Sequence, residues 1–141
     1  MAAKAKLITR SIAVWLLIIA TETVNGVVRE LFIAPRVGAQ IGRRVSFCIA
    51  IVLIALVALY FVRWIGAVTV TQLLGVGFIW AILTFLFEVL AGSLIAGREW
   101  DQLITDFDPS KGGLMAFGLV LMQIVPALAY RLILILRPEI G

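Results

Sequence analysis

Histidine is absent from this chain, and cysteine occurs once, at Cys48. Ordinary zinc centres draw on these two residue types and haem on a well-placed axial ligand, so neither kind of site has its ligands, and no metal or cofactor is expected. Cys48 has no partner for an intramolecular disulfide. Set in an apolar run, it reads as a small core or lipid-facing residue. Also missing are a nucleophile–base pair and a glycine-rich phosphate loop, so the chain is not expected to be an enzyme. Asp101, Asp106 and Asp108 lack the interval and the following acid of a calcium loop; they read as a solvated loop face and a cap. No Ser/Pro-rich linker and no shift in composition divides the sequence, so residues 1–141 are expected to form one domain.

Charge is scarce as well. Only 14% of the residues are charged, against 63% hydrophobic. Soluble domains run near about a quarter and about a half. One soluble core cannot hide that surplus, and the remainder must face lipid. A net charge of +4 would point to nucleic acid in a soluble protein. Here the basic residues flank apolar segments, so they read as membrane anchors and no nucleic-acid partner is expected.

What is present is apolar sequence at membrane spacing. Arg10 to Arg29 is about 19 residues, or roughly 28 Å of helix, close to the thickness of the hydrocarbon layer. Arg44 to Arg63 and Lys111 to Arg131 give similar uncharged intervals, and the longer stretch from Arg63 to Arg98 carries only Glu88 between them. The expected fold is all-α, an integral membrane four-helix bundle with helices near 8–33, 44–63, 67–97 and 111–136. The alternating pattern of a membrane barrel is missing. Lys4, Lys6 and Arg10 followed by an apolar run resemble a secretory signal, but Ile18 is a poor residue three places before a cut after Ala20, so a retained helix is expected.

Local signals refine these spans. The first helix should stop near Ala34-Pro35, because the residue before proline avoids helical torsions. Asp108-Pro109 reads as a cap and first-turn proline opening the last helix, and Pro126 should bend it. Between the third and fourth helices, segment 98–108 sets Trp100, Leu103, Ile104 and Phe107 at helical spacing on one face. This is a short amphipathic helix, either interfacial or capping the bundle, with its apolar face inward. Trp64, Trp100 and Phe107 are the expected interfacial anchors.

The chemistry falls to two acids. Glu22 and Glu88 sit deep in apolar stretches, where an acid is costly unless it is protonated, paired or wetted. Such a carboxyl is a candidate proton or cation site; the alternative is structural, a neutral group hydrogen-bonded across the bundle. Asn25 gives Glu22 polar company. Gly26 and Gly92, one turn on from each acid, permit close approach of a helix or ligand. Arg29 lies on the face of Glu22, roughly 10 Å along the axis, near enough to pair only by bending inward. Arg36, Arg43 and Arg44 form a basic cluster suited to anionic lipid headgroups, or to setting topology. Glu22/Gly26 and Glu88/Gly92 share the pattern Glu-x-x-x-Gly, each followed by a charged connection and an uncharged helix. The chain therefore reads as two tandem helix–loop–helix hairpin repeats, against chance and the regularity of membrane hairpins.

The stretch ETVNGVVRELFIAPRVGAQIGRR, Glu22 to Arg44, resembles segments of uncharacterised bacterial inner-membrane proteins with four helices. The resemblance implies that location and no activity. Basic residues balance on the two sides, Lys4, Lys6, Arg10, Arg63, Arg131 and Arg137 against Arg29, Arg36, Arg43, Arg44, Arg98 and Lys111, so orientation stays open. Two functions fit. One is a small transporter or channel, a homo-oligomer whose aqueous path forms between protomers, using Glu22 and Glu88. The other is an accessory or scaffold subunit of a larger membrane complex, packing small-residue faces such as Ala91, Gly92 and Ser93 on its partners. Membrane lipid is a partner in either case.

Overall fold

The computed structural model describes residues 2–95, 97–111 and 113–140. Ala96 and Gly112, inside the spans expected for the third and fourth long helices, lie outside the described residues, as do Met1 and Gly141. Among the described residues every element is helical. Helix α1 spans Ala2–Val28 and passes through a π turn, Arg29–Ile33, into the short α2, Ala34–Val37. Then come α3 (Ala39–Ile65), α4 (Val70–Leu90) with a second π turn at Ala91–Ile95, α5 (Trp100–Phe107) and α6 (Met115–Leu136). Four of these runs, Ala2–Val37, Ala39–Ile65, Val70–Ile95 and Met115–Leu136, are long and apolar enough to cross a membrane.

The first helical run begins earlier and ends later than the 8–33 span, and Ala34-Pro35 does not stop it. The π turn supplies the reason. It closes one helical segment, so Pro35 falls in the first turn of the next, where its missing N–H is not needed. The break comes at Gly38, whose φ of 90° suits glycine and whose N–H bonds the carbonyl of Ala34 at 2.9 Å. The long charged connection expected before Arg44 is thus helical, with Gly38 as its only non-helical residue. Gly42 completes the corner: a Cβ there would lie 3.2 Å from Cα of Ala34.

Helix α3 ends at Gly66, again at φ 90°. Helix α4 opens with a capping box: Thr69 Oγ1 accepts from the N–H of Gln72 at 3.2 Å, and Gln72 Oε1 accepts from the N–H of Thr69 at 3.3 Å. Asp108 caps only a 3-10 turn, Pro109–Lys111, and α6 begins later, at Met115. Pro126 lies buried inside α6.

The long helices form a ring in the order α1, α3, α6, α4, with α4 and α6 in the broadest contact. The core gathers toward the Gly66 end. There Val14 and Ile18 of α1 meet Ala58, Val62 and Ile65 of α3 and Leu73, Val76 and Trp80 of α4. The Trp80 indole N–H donates to the carbonyl of Ser11 at 2.9 Å, which satisfies the polar edge of a fully buried ring. Arg10 closes this end by donating to the carbonyl of Trp64 at 2.6 Å while its guanidinium lies 4.8 Å from the centre of the Trp64 ring. The outside is apolar: Tyr60 is 80% exposed, Leu94 78% and Ile95 86%, and large apolar side chains stand outward on every long helix. A soluble protein scatters such residues singly; a continuous coat of them suits hydrocarbon.

Candidate functional site

Toward the opposite end the helices part around a cleft of about 810 Å³. Its construction starts with the two acids. Glu22 on α1 and Glu88 on α4 both line it, and each lies within electrostatic reach of the other. Helices α1 and α4 run side by side in the same direction, as the Ser11–Trp80 and Trp15–Thr84 bonds at one constant offset show, and this brings the two positions to one depth. Asn25, one turn beyond Glu22, is buried and fixes its neighbour: its Nδ2 donates to Glu22 Oε2 at 3.3 Å and to the carbonyl of Ser46 at 3.1 Å. Ser46 of α3 returns a bond from its hydroxyl to Asn25 Oδ1 at 3.2 Å. The other oxygen of Glu22, Oε1, is buried and has no hydrogen-bond partner among the described residues. Leaving such an atom bare costs about 1–3 kcal/mol, more for a charged group.

The mouth is basic and ion-paired. Arg29 does not reach Glu22; its Nε donates to Glu30 Oε1 at 3.2 Å. Arg98 pairs with Asp106 of α5, and Arg43 approaches the same carboxylate at 3.8 Å. All five of these charged residues line the cleft. The reading of Asp106 as a solvated loop residue is thereby corrected: it ties α5 to α3 and to the connection that precedes α5. The basic cluster expected at lipid headgroups divides. Arg36, Arg43 and Arg44 are all exposed; Arg43 also lines the cleft mouth, and Arg36 donates to the carbonyl of Phe32 at 3.1 Å.

The glycines behave differently from one another. A Cβ on Gly26 would meet nothing within 4 Å, so no helix packs there and the residue keeps the cleft wall low. Gly92 is approached by α5 and not by a long helix: a Cβ would lie 2.7 Å from Leu103 Cδ2. The inward face of α5 is Leu103, which is buried, and Phe107, edge-on to Phe85 with ring centres 5.2 Å apart. Trp100 and Ile104, expected inward with them, point outward.

Further in, the wall is apolar and aromatic, with Phe47, Ile51, Ile54, Phe87, Met122 and Val125 among its residues. Trp15 stands behind it. Its indole N–H donates to Thr84 Oγ1 at 3.0 Å, and that hydroxyl donates on to Met122 Sδ at 3.2 Å. Sequence reasoning missed Ser46, Thr84, Arg98 and Asp106 as members of this site. Ser46 and Thr84 are single small polar residues in apolar runs, a signal that was present, whereas the Arg98–Asp106 pairing depends on how α5 folds back. Outside the long helices, Asp108 is held below the usual carboxylate range because Ser110 donates to it from both its hydroxyl and its backbone N–H.

Compared with sequence models of protein families, with curated proteins and with solved structures, the chain matches none. Its chemistry is read from its own residues.

Proposed function

We propose that this chain is an integral membrane four-helix bundle that moves protons or cations, with Glu22 and Glu88 as the groups that carry them. One observation supports this above all. Two carboxyls from separate helices converge on a single cleft, and Oε1 of Glu22 is buried with no partner among the described residues. An ionisable side chain kept in such a setting is expensive, which favours a working role. Glu22 takes up a proton or cation on Oε1 while Asn25 and Ser46 hold Oε2 in place. Glu88, across the cleft and near Arg29 and Arg98, provides the second station.

The surroundings fit this reading. The apolar coat suits lipid on all sides, exposed Trp100 and Ile104 suit an interfacial α5, and exposed Arg36 and Arg44 suit anionic headgroups. The two halves of the helix-hairpin repeat differ in register here, since a π turn begins seven residues after Glu22 and three after Glu88. A bacterial inner membrane is the location that the likeness over residues 22–44 implies. The cleft lies within one chain, so a homo-oligomer is not needed to form the path.

Reconstitution in liposomes with an internal pH-sensitive dye tests the proposal. Under an imposed gradient, Glu22→Gln should lower flux by roughly tenfold or more, a loss of about 1.4 kcal/mol of stabilisation. Glu139→Gln, at the far end of the chain, should leave it unchanged. Wild-type flux in Glu22→Gln vesicles that carry normally assembled protein overturns the reading.

A further inference from the structure

We infer that the inner end of the cleft takes an organic cation, an ammonium or guanidinium carried on an apolar body, in preference to a bare metal ion. This rests on Glu22 and Glu88 being working carboxyls and goes on to name what they hold. The first argument is charge. At the mouth each guanidinium already faces a carboxylate: Arg29 faces Glu30, and Arg98 and Arg43 share Asp106. Among the described residues Glu22 and Glu88 have no ion-pair partner. With its acids ionised, the cleft sets Arg29, Arg43 and Arg98 against Glu22, Glu30, Glu88 and Asp106, three positive groups and four negative, so its formal excess is one negative charge.

The second argument is coordination. Calcium takes about six to eight oxygens and magnesium a near-ideal octahedron. Among the described residues no group of three or more His, Cys, Asp or Glu is placed to hold a metal. Asn25 and Ser46 are already bonded to each other. An ammonium needs fewer acceptors, and it brings the donors that the bare Oε1 of Glu22 lacks.

The third argument is size and wall. The whole cleft, mouth included, is about 810 Å³, more than a dehydrated ion fills. It falls within the range of roughly 300–1,000 Å³ typical of small-molecule sites, which pair an apolar lining with a few polar groups. Phe47 and Phe87 bring aromatic rings to the lining, and such rings attract cations; Ile54, Met122 and Val125 supply the surface for a hydrocarbon body.

Three ligands with one tail separate the head-group chemistries: octylammonium, octanol and octanoate. Each is titrated calorimetrically into the protein in lipid nanodiscs, with empty nanodiscs as reference. Octylammonium should bind at least about tenfold more tightly than the other two, and Glu22→Gln or Glu88→Gln should each weaken it by about tenfold. Octanol binding should not respond to either substitution, and sodium or potassium chloride at physiological strength should not displace octylammonium. Octanoate binding as tightly as octylammonium, octylammonium indifferent to the double Gln variant, or displacement by the bare ions each overturns the inference. The flux assay is read in parallel. If Glu22→Gln abolishes proton flux while octylammonium fails to bind, only the ligand class falls; if both measurements are unaffected, the carboxyl reading falls with it.

Discussion

Asn25 is the residue on which the inner cleft turns. It is buried at 7% exposure, and its amide is committed to Glu22 on its own helix and to Ser46 on α3. Removing it takes the hydrogen-bond partner from the Ser46 hydroxyl and from Oε2 of Glu22. Asn25→Ala should therefore destabilise the protein by about 1–3 kcal/mol. The pair itself is worth less, because interhelical hydrogen bonds within membranes average about 0.6 kcal/mol and reach about 1.7. A double-mutant cycle of Asn25→Ala and Ser46→Ala, measured by unfolding in mixed micelles, should return a coupling inside that range. A coupling of zero would mean that the two side chains do not hold α1 to α3. Of this network the sequence made Glu22 and Asn25 legible, since a polar residue in an apolar helix declares itself. It did not pair them with Ser46, because the α1–α3 register is set by the corner at Gly38 and Gly42, and the residue before Pro35 pointed to an earlier stop.

The long helices were legible because length, apolarity and punctuating charge all report one quantity, the thickness of the hydrocarbon layer. Their junctions were not, because a π turn leaves no mark in composition or spacing and yet decides whether a following proline ends a helix. Helix contacts were equally hidden. Gly26 drew notice beside Glu22, but the tight crossing is at Gly77. A Cβ there would run into the backbone of Gln123, and α4 and α6 share the broadest contact in the ring. Backbone cannot swing aside as a side-chain end can. Gly77→Ala should force α4 from α6 and cost about 1–3 kcal/mol, the range for overpacking. Gly26→Ala, with nothing within 4 Å, should be neutral or slightly stabilising, by up to about 1 kcal/mol from helix propensity. Thermal melts of the two variants in one detergent check the contrast, and equal melting temperatures would refute the packing assigned to Gly77.

On the scale of the whole molecule, a packed half and an open half divide the labour. Trp80 and its neighbours fix the ring at the Gly66 end, and the cleft opens at the other, with charge graded from a basic, paired mouth to an acidic interior. Asp106 governs that gradient. The mouth carries Arg29, Arg43 and Arg98 against Glu30 and Asp106, three positive groups and two negative, so it is formally +1. Asp106→Asn raises it to +2 and frees two guanidiniums next to the path. On the proposed transport function a cation then crosses a stronger repulsive field, and fields of this kind shift association rates by about tenfold or more at low ionic strength. Cation flux should drop several-fold in dilute buffer and recover toward the wild-type rate near 0.15 M salt, where screening acts over about 8 Å. Adding Arg98→Gln to Asp106→Asn restores the formal charge of the mouth and should restore the rate at low salt. Loss of the α5 tether alone would also slow transport, but it would respond neither to salt nor to the second substitution. Salt-independent slowing in Asp106→Asn would assign Asp106 a mechanical role and remove electrostatic grading from the account of the cleft.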